Sequence, residues 1–176
     1  MRTAERPLKS TTALGCYGPG MFNHQPSNYE CPFCTVLRGI ETKANSRRDI
    51  VRQSAFATSL ISPRWWPNNR GHVLVVPNQH HENLYDLPAE YGHAVHDLVR
   101  EIAIAVRHEY SCDGISTRQH NEPGGDQDVW HYHVHVFPRY AGDALYASQP
   151  CPEWLSAEER WSFAVKLRTY FGTDAA

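Results

Sequence analysis

Apolar residues change period from block to block along the chain. The run 72–77, His72-Val-Leu-Val-Val-Pro77, is apolar almost without a break and predicts a strand buried on both faces. Segments 49–53 and 56–62 predict a hairpin, the second strand being the more apolar. From Pro88 to about Tyr110, Val95, Leu98, Val99, Ile102, Ala105 and Val106 recur three and four apart, the stripe of a long helix. Residues 114–119 are a short strand candidate. Residues 130–137 alternate His with Tyr, Val and Phe and predict a strand with two distinct faces. A turn at 31–34 enters a short helix that Gly39 can stop, and Ser156-Ala-Glu-Glu159 has the form of a capping box opening a last helix to about Tyr170.

This order lacks the regular βαβ alternation of a doubly wound sheet. It predicts an α+β domain with a mostly antiparallel sheet, one long central helix and a C-terminal helix. Residues 1–28 hold Gly15, Gly18, Pro19, Gly20 and Pro26 without an apolar period, so a flexible N-terminal tail is expected there. Met21 is a candidate alternative start. Residues 29–176 are expected to form one domain. The loop 63–71 is bounded by prolines and carries Trp65 and Trp66, which can wall a pocket or pack on the core.

Composition narrows the function. The chain has 176 residues, enough for one real core, with 41% hydrophobic and 20% charged residues. A net charge of -2 supplies no basic field for a long nucleic acid, so a nucleotide ligand would be small. No apolar run approaches the roughly 20 residues of a membrane span, and the polar start lacks the apolar stretch of a secretory signal. Five cysteines, an odd count with one close pair, argue against a disulfide scaffold, so a reducing cytoplasmic setting is expected.

Three features can carry chemistry. In His131-Tyr-His133-Val-His135, strand alternation would put all three imidazoles on one face, and groups that titrate near neutrality suit metal binding, proton transfer or attack at phosphorus. Cys31-Pro-Phe-Cys34 is half of a zinc site, for which His80 or His81 and one of the three alternating histidines are the available partners. The loop Asn121-Glu-Pro-Gly-Gly-Asp-Gln127-Asp128 lies directly before the histidines, and its glycines allow backbone N–H groups to approach a phosphate.

Together these residues resemble the histidine-triad (HIT) superfamily. The resemblance rests on Gln127-Asp-Val-Trp-His131-Tyr-His133-Val-His135-Val-Phe-Pro-Arg139, on Gly71-His-Val-Leu-Val-Val-Pro77-Asn-Gln-His80, on Cys31-Pro-Phe-Cys34 and on Asn121, and spans residues 31–140. It implies an α+β fold, usually a homodimer, and cleavage or transfer at a nucleotide α-phosphate in two steps. Carried over by position, His133 is the nucleophile that forms a nucleotidyl-histidine. His135 stabilises charge at the α-phosphate, and Asn121, Gln127 and nearby backbone N–H groups hold its oxygens. Cys31, Cys34, His80 and His131 hold a structural zinc ion, and His72 supports the triad from the neighbouring strand.

Two positions depart from the family pattern. Many relatives carry an acidic residue before the Ser-Pro loop to grip the ribose, where this chain has Leu60. Asp128, a candidate at the phosphate site, stands where a small hydroxyl residue is common, and its charge would repel phosphate unless paired or protonated. Beside the leading expectation of a nucleotidyl hydrolase or transferase stand a non-catalytic nucleotide-binding module and a metal-dependent hydrolase using the triad itself as metal site.

Overall fold

The computed structural model describes residues 20–173. Helix α1 is Pro32–Leu37. Strands β1, Ile50–Gln53, and β2, Ala57–Ile61, form the expected hairpin, followed by β3, Val73–Pro77. The long helix α2, Ala89–Glu109, leads to β4, Gly114–Gln119, then β5, Val134–Arg139, and α3, Ala157–Tyr170. All strand pairs are antiparallel in the order β1-β2-β3-β5-β4, so the fold is the expected α+β arrangement. No helix among the described residues is long and apolar enough to cross a membrane.

Side-chain parity divides the sheet between two cores. Ala57, Ile61, Val73, Val75 and Val136 face α2 and α3, where they meet the predicted stripe from Val95 to Val106 together with Ala164 and Leu167. Their neighbours Leu60, Leu74 and Val76 point the other way, against Cys31, Phe33 and Val36 of the α1 region. Strand β3 is therefore buried on both faces, as its unbroken apolar run predicts. The capping box at α3 is also present: Ser156 accepts from the Glu159 N–H, and the Glu159 carboxylate accepts from the Ser156 N–H. A buried pair, Arg160 Nε to Asp49 Oδ1 at 3.0 Å, ties α3 to the turn before β1.

One expected element starts later than its pattern suggests. The strand predicted over 130–137 begins at Val134, so His131 and His133 precede the ladder. Continuing the register of Val75 with Val134 would place Pro77 opposite Tyr132. Pro77 has no N–H to give, and its carbonyl accepts from the His131 ring at 3.0 Å. The Tyr132 N–H turns instead to the His81 carbonyl at 2.6 Å. Alternation survives without the ladder, because Tyr132 and Val134 still pack toward α2.

The expected tail, 1–28, falls largely outside the described residues. Its described portion lies along the segment after β3. The Gly20 N–H donates to Asp86, the His24 and Gln25 N–H groups donate to Glu82, and Phe22 meets Tyr85 edge-on.

Gly71 turns the chain into β3 with φ at +74°, and an added Cβ would lie 2.5 Å from the Phe163 ring of α3. A left-handed backbone and an overpacked contact each cost an L-residue about 1–2 kcal/mol. Gly71→Ala is therefore expected to lose about 2 kcal/mol or more in urea unfolding, and an unchanged midpoint would refute the packing assigned to this turn.

Candidate functional site

The face of the sheet away from α2 carries the site. Register aligns Leu60 of β2, Leu74 of β3, His135 of β5 and Arg118 of β4 in one row across it. The row beside it brings His72 against Phe137, the rings stacked with centroids 4.4 Å apart. His133 follows just before the strand, its ring 4.9 Å from that of His135 and 5.4 Å from Phe33 of α1. Above these groups opens a cleft of about 780 Å³. Pro32, Phe33 and Leu74 give it an apolar end, and Trp66 and Phe137 wall it near His135. Trp66 packs edge-on against both His72 and Phe137, so it serves core and cleft together. Trp65 instead donates its indole N–H to the Glu153 carbonyl and lies under Arg70.

Hydrogen bonds determine the histidine tautomers, because a carbonyl can only accept. His133 Nδ1 lies 2.8 Å from the His131 carbonyl of its own segment, so the proton sits on Nδ1 and Nε2 keeps a free lone pair. Burial lowers the His133 pKa, and it lowers that of His135 further, helped by neighbouring His133, His72, His120 and Arg118. His72 is pushed down to about 3, chiefly by burial. All three rings are accordingly neutral at pH 7. His135 Nδ1 and His72 Nε2 are 3.2 Å apart, while His72 Nδ1 is buried with no partner. A buried N–H without an acceptor costs more than an idle lone pair in this apolar surrounding. That places the His72 proton on Nε2, donating to His135, and leaves His135 with an Nε2–H.

The Cys31-x-x-Cys34 turn lies behind the triad, outside the cleft lining. Its ligand atoms and those of His80 and His131 all fall within 4.8 Å of one another, the single such group among the described residues. His131 Nδ1 is 3.2 Å from Cys31 Sγ and 3.6 Å from Cys34 Sγ, and His80 Nδ1 is 3.4 Å from Cys34 Sγ. A tetrahedral zinc ion with bonds of about 2.0–2.3 Å separates its ligands by roughly 3.3–3.8 Å, so the donor set fits. Both rings also present the nitrogen a metal requires. His131 Nε2 donates to the Pro77 carbonyl at 3.0 Å and His80 Nε2 to Gln25 Oε1 at 2.8 Å, leaving each Nδ1 as the lone-pair atom. Cys34 is held toward the thiolate, at about 2, first by the hydrogen bond from Cys31 and then by the two rings. His81 turns away, its ring packed at a tilt against Tyr91.

The loop before the triad differs from its expected use. Gln127 is buried, donating to the carbonyls of Glu82 at 2.6 Å and Val129 at 3.0 Å and accepting from the Glu122 N–H at 2.8 Å. Asn121 accepts from the Leu84 N–H and exchanges hydrogen bonds with Gln119. Both amides are spent on shaping the loop, and neither residue lines the cleft; Asp128 does. Leu60 is fully buried beneath the cleft floor.

Three cleft residues escaped the sequence pattern: Arg118, His120 and Asn45. The Asn45 Oδ1 is buried and has no partner among the described residues. Arg118 shares its parity with Ser116 on a readable strand, but only the pairing with β5 shows that this face meets His135. Asn45 lies in a polar loop with no period to place it.

Comparisons with known proteins agree with this geometry. The HIT domain family model matches residues 56–142. Protein hit of Bacillus subtilis is 32% identical over 116 residues, covering 65% of this chain and 75% of the relative. The adenylylsulfatase HINT3 of Arabidopsis thaliana is 25% identical over 140 residues, covering 80% and 68%. The crystal structure of a zinc-bound histidine triad family protein from Mycobacterium smegmatis superposes with a TM-score of 0.65 at 27% identity, covering 81% of this chain and 93% of that one.

The hydrogen bonds of Gln127 give a direct test of the loop. Gln127→Ala strips partners from three backbone groups and is expected to cost about 2–4 kcal/mol of stability. A variant as stable as the parent would show that the amide is free for a ligand after all.

Proposed function

The chain belongs to the histidine-triad (HIT) family, and on that premise we propose that it is a nucleotidyl hydrolase or transferase acting at the α-phosphate of a small nucleotide conjugate. One observation carries the reading: the His133 ring is neutral, its proton is held on Nδ1 by the His131 carbonyl, and its Nε2 lone pair is left for attack beside the cleft. In the first step His133 Nε2 bonds to the α-phosphorus, and the bond to the leaving group breaks with its electron pair. In the second, water or another acceptor takes the nucleotidyl group and His133 is regenerated. The Nε2–H of His135 donates to an oxygen of the phosphate as charge gathers there. Asp128 lies at the loop side of the same cleft, and backbone N–H groups of the loop, rather than the Asn121 and Gln127 amides, complete the phosphate site. The nucleoside lies over Phe33 and Leu74, without the carboxylate that Leu60 does not supply. That a relative is an adenylylsulfatase supports this class of reaction.

The metal reading rests on the four donors and on the outer hydrogen bonds that orient the two rings. Cys31, Cys34, His80 and His131 hold a structural zinc ion, which would supply a cross-link between α1, the segment after β3 and the triad. Use of the triad itself as a metal site is disfavoured, because the His131 ring points to the cysteines and away from His133 and His135.

His133→Ala is expected to lower turnover of an AMP conjugate at least about a thousandfold while the fold stays intact, read by circular dichroism. In rapid-quench experiments the parent should yield an acid-labile nucleotidyl adduct that the variant lacks. Full activity in the variant would end the mechanism, and nucleotide binding without turnover or adduct in the parent would favour a binding module. Cys34→Ser is expected to lose zinc and lower the melting temperature by several degrees, on the order of 1–3 kcal/mol. Normal zinc stoichiometry would refute the metal assignment.

A further inference from the structure

Resting on the nucleotidyl-transfer reading, we propose that Arg118 selects the leaving group and that the preferred substrates are nucleotide acid anhydrides, in which a second phosphoryl or sulfuryl oxyanion is joined to the α-phosphate. Arg118 stands next to His135 across the β4–β5 pair, with Cβ atoms about 5 Å apart at such a position. Its guanidinium is packed among the rings of Trp66, Phe137 and Tyr146 at 5.4, 4.8 and 4.8 Å. Among the described residues no carboxylate pairs with it. Its Nε is buried without a partner among the described residues, and the rest of the guanidinium meets neutral oxygens, the Leu145 carbonyl at 3.4 Å and the Tyr146 hydroxyl. A cation held rigidly by aromatic faces and lacking an anion is a site for one.

The row across the sheet says which part of the substrate arrives there. Leu60 lies beneath the floor, Leu74 lines its apolar end, His135 follows, and Arg118 comes last. A nucleoside over the apolar end puts its α-phosphate at the histidines and the next group along the substrate at Arg118. The acidic residues of the cleft, Asp126 and Asp128, belong to the loop before His133. Asp128 comes from the loop that leads into His133, whereas Arg118 stands across from His135 on β4, so the two charges belong to different elements of the cleft. An anhydride also suits the chemistry. When His133 bonds to the α-phosphorus, the bridging oxygen leaves with the bonding pair as phosphate or sulfate, an anion that needs no proton and that the guanidinium stabilises as it forms.

The test is equilibrium binding of AMP and of α,β-methylene-ADP, which resists cleavage at the α-phosphate, by calorimetry. The parent is expected to bind the diphosphate analogue roughly tenfold more tightly than AMP, the worth of one charge-assisted pair. Arg118→Met keeps a long side chain among the rings and should bring the two affinities together with little change for AMP. Arg118→Lys should keep most of the preference. Turnover then follows the same split: Arg118→Met lowers kcat/KM for adenosine 5′-phosphosulfate and diadenosine triphosphate about tenfold relative to that for an AMP phosphoramidate. Equal affinities in the parent, or an equal loss for both ligands in Arg118→Met, overturns the assignment. The nucleotidyl-transfer reading fails separately, if AMP binds but no substrate forms the His133 adduct.

Discussion

Everything at the site depends on one strip of chain, residues 131–137, being shared between two cores. Tyr132, Val134 and Val136 must satisfy the interior under α2, which leaves His131, His133 and His135 no choice but the opposite face. That face is covered only by α1 and by loops, so it can be apolar enough to keep imidazoles neutral and still open to a ligand. Had a second long helix covered it, the histidines would have been sealed in. Had nothing covered it, water would have kept them near their ordinary pKa.

The three histidines then part company because their outer ring atoms meet different partners. His131 gives its Nε2 proton to Pro77 and turns Nδ1 to the cysteines. His133 gives its Nδ1 proton to a carbonyl and keeps Nε2. His135 accepts a hydrogen bond from His72 at Nδ1 and so keeps its own proton on Nε2, ready to donate. One residue type thus presents, without any change in the side chain, the states that the proposed reading needs for a metal ligand, a nucleophile and a hydrogen-bond donor.

Much of this is legible in the order of the residues alone. The α2 stripe, the capping box at Ser156 and the unbroken run at β3 each reflect a local period, and local periods survive folding. Of the candidate metal set only Cys31 and Cys34 are legible as spacing; His80 and His81, and the three alternating histidines, stay equally available until packing turns His131 toward the cysteines and Tyr91 draws His81 aside. The late start of β5 is not legible, because it depends on Pro77, far away in sequence, falling opposite Tyr132. The amides of Asn121 and Gln127 read as phosphate donors because a polar side chain looks the same whether it serves a ligand or a carbonyl. Arg118 and Asn45 reach the cleft only through strand pairing and loop packing, for which a single sequence has no pattern.

Pro77 has a consequence beyond the shortened strand. By withholding one N–H it unzips the ladder just ahead of Val134, so the backbone at His131 and His133 is not bound to the pleat. On the proposed reading the zinc ligand and the nucleophile are two residues apart, and their rings face separate surroundings, His131 the cysteines and His133 the cleft, while the His131 carbonyl still joins them through the His133 Nδ1 proton. Loosening the strand there frees the two rings to diverge and keeps that one backbone link between metal cluster and cleft.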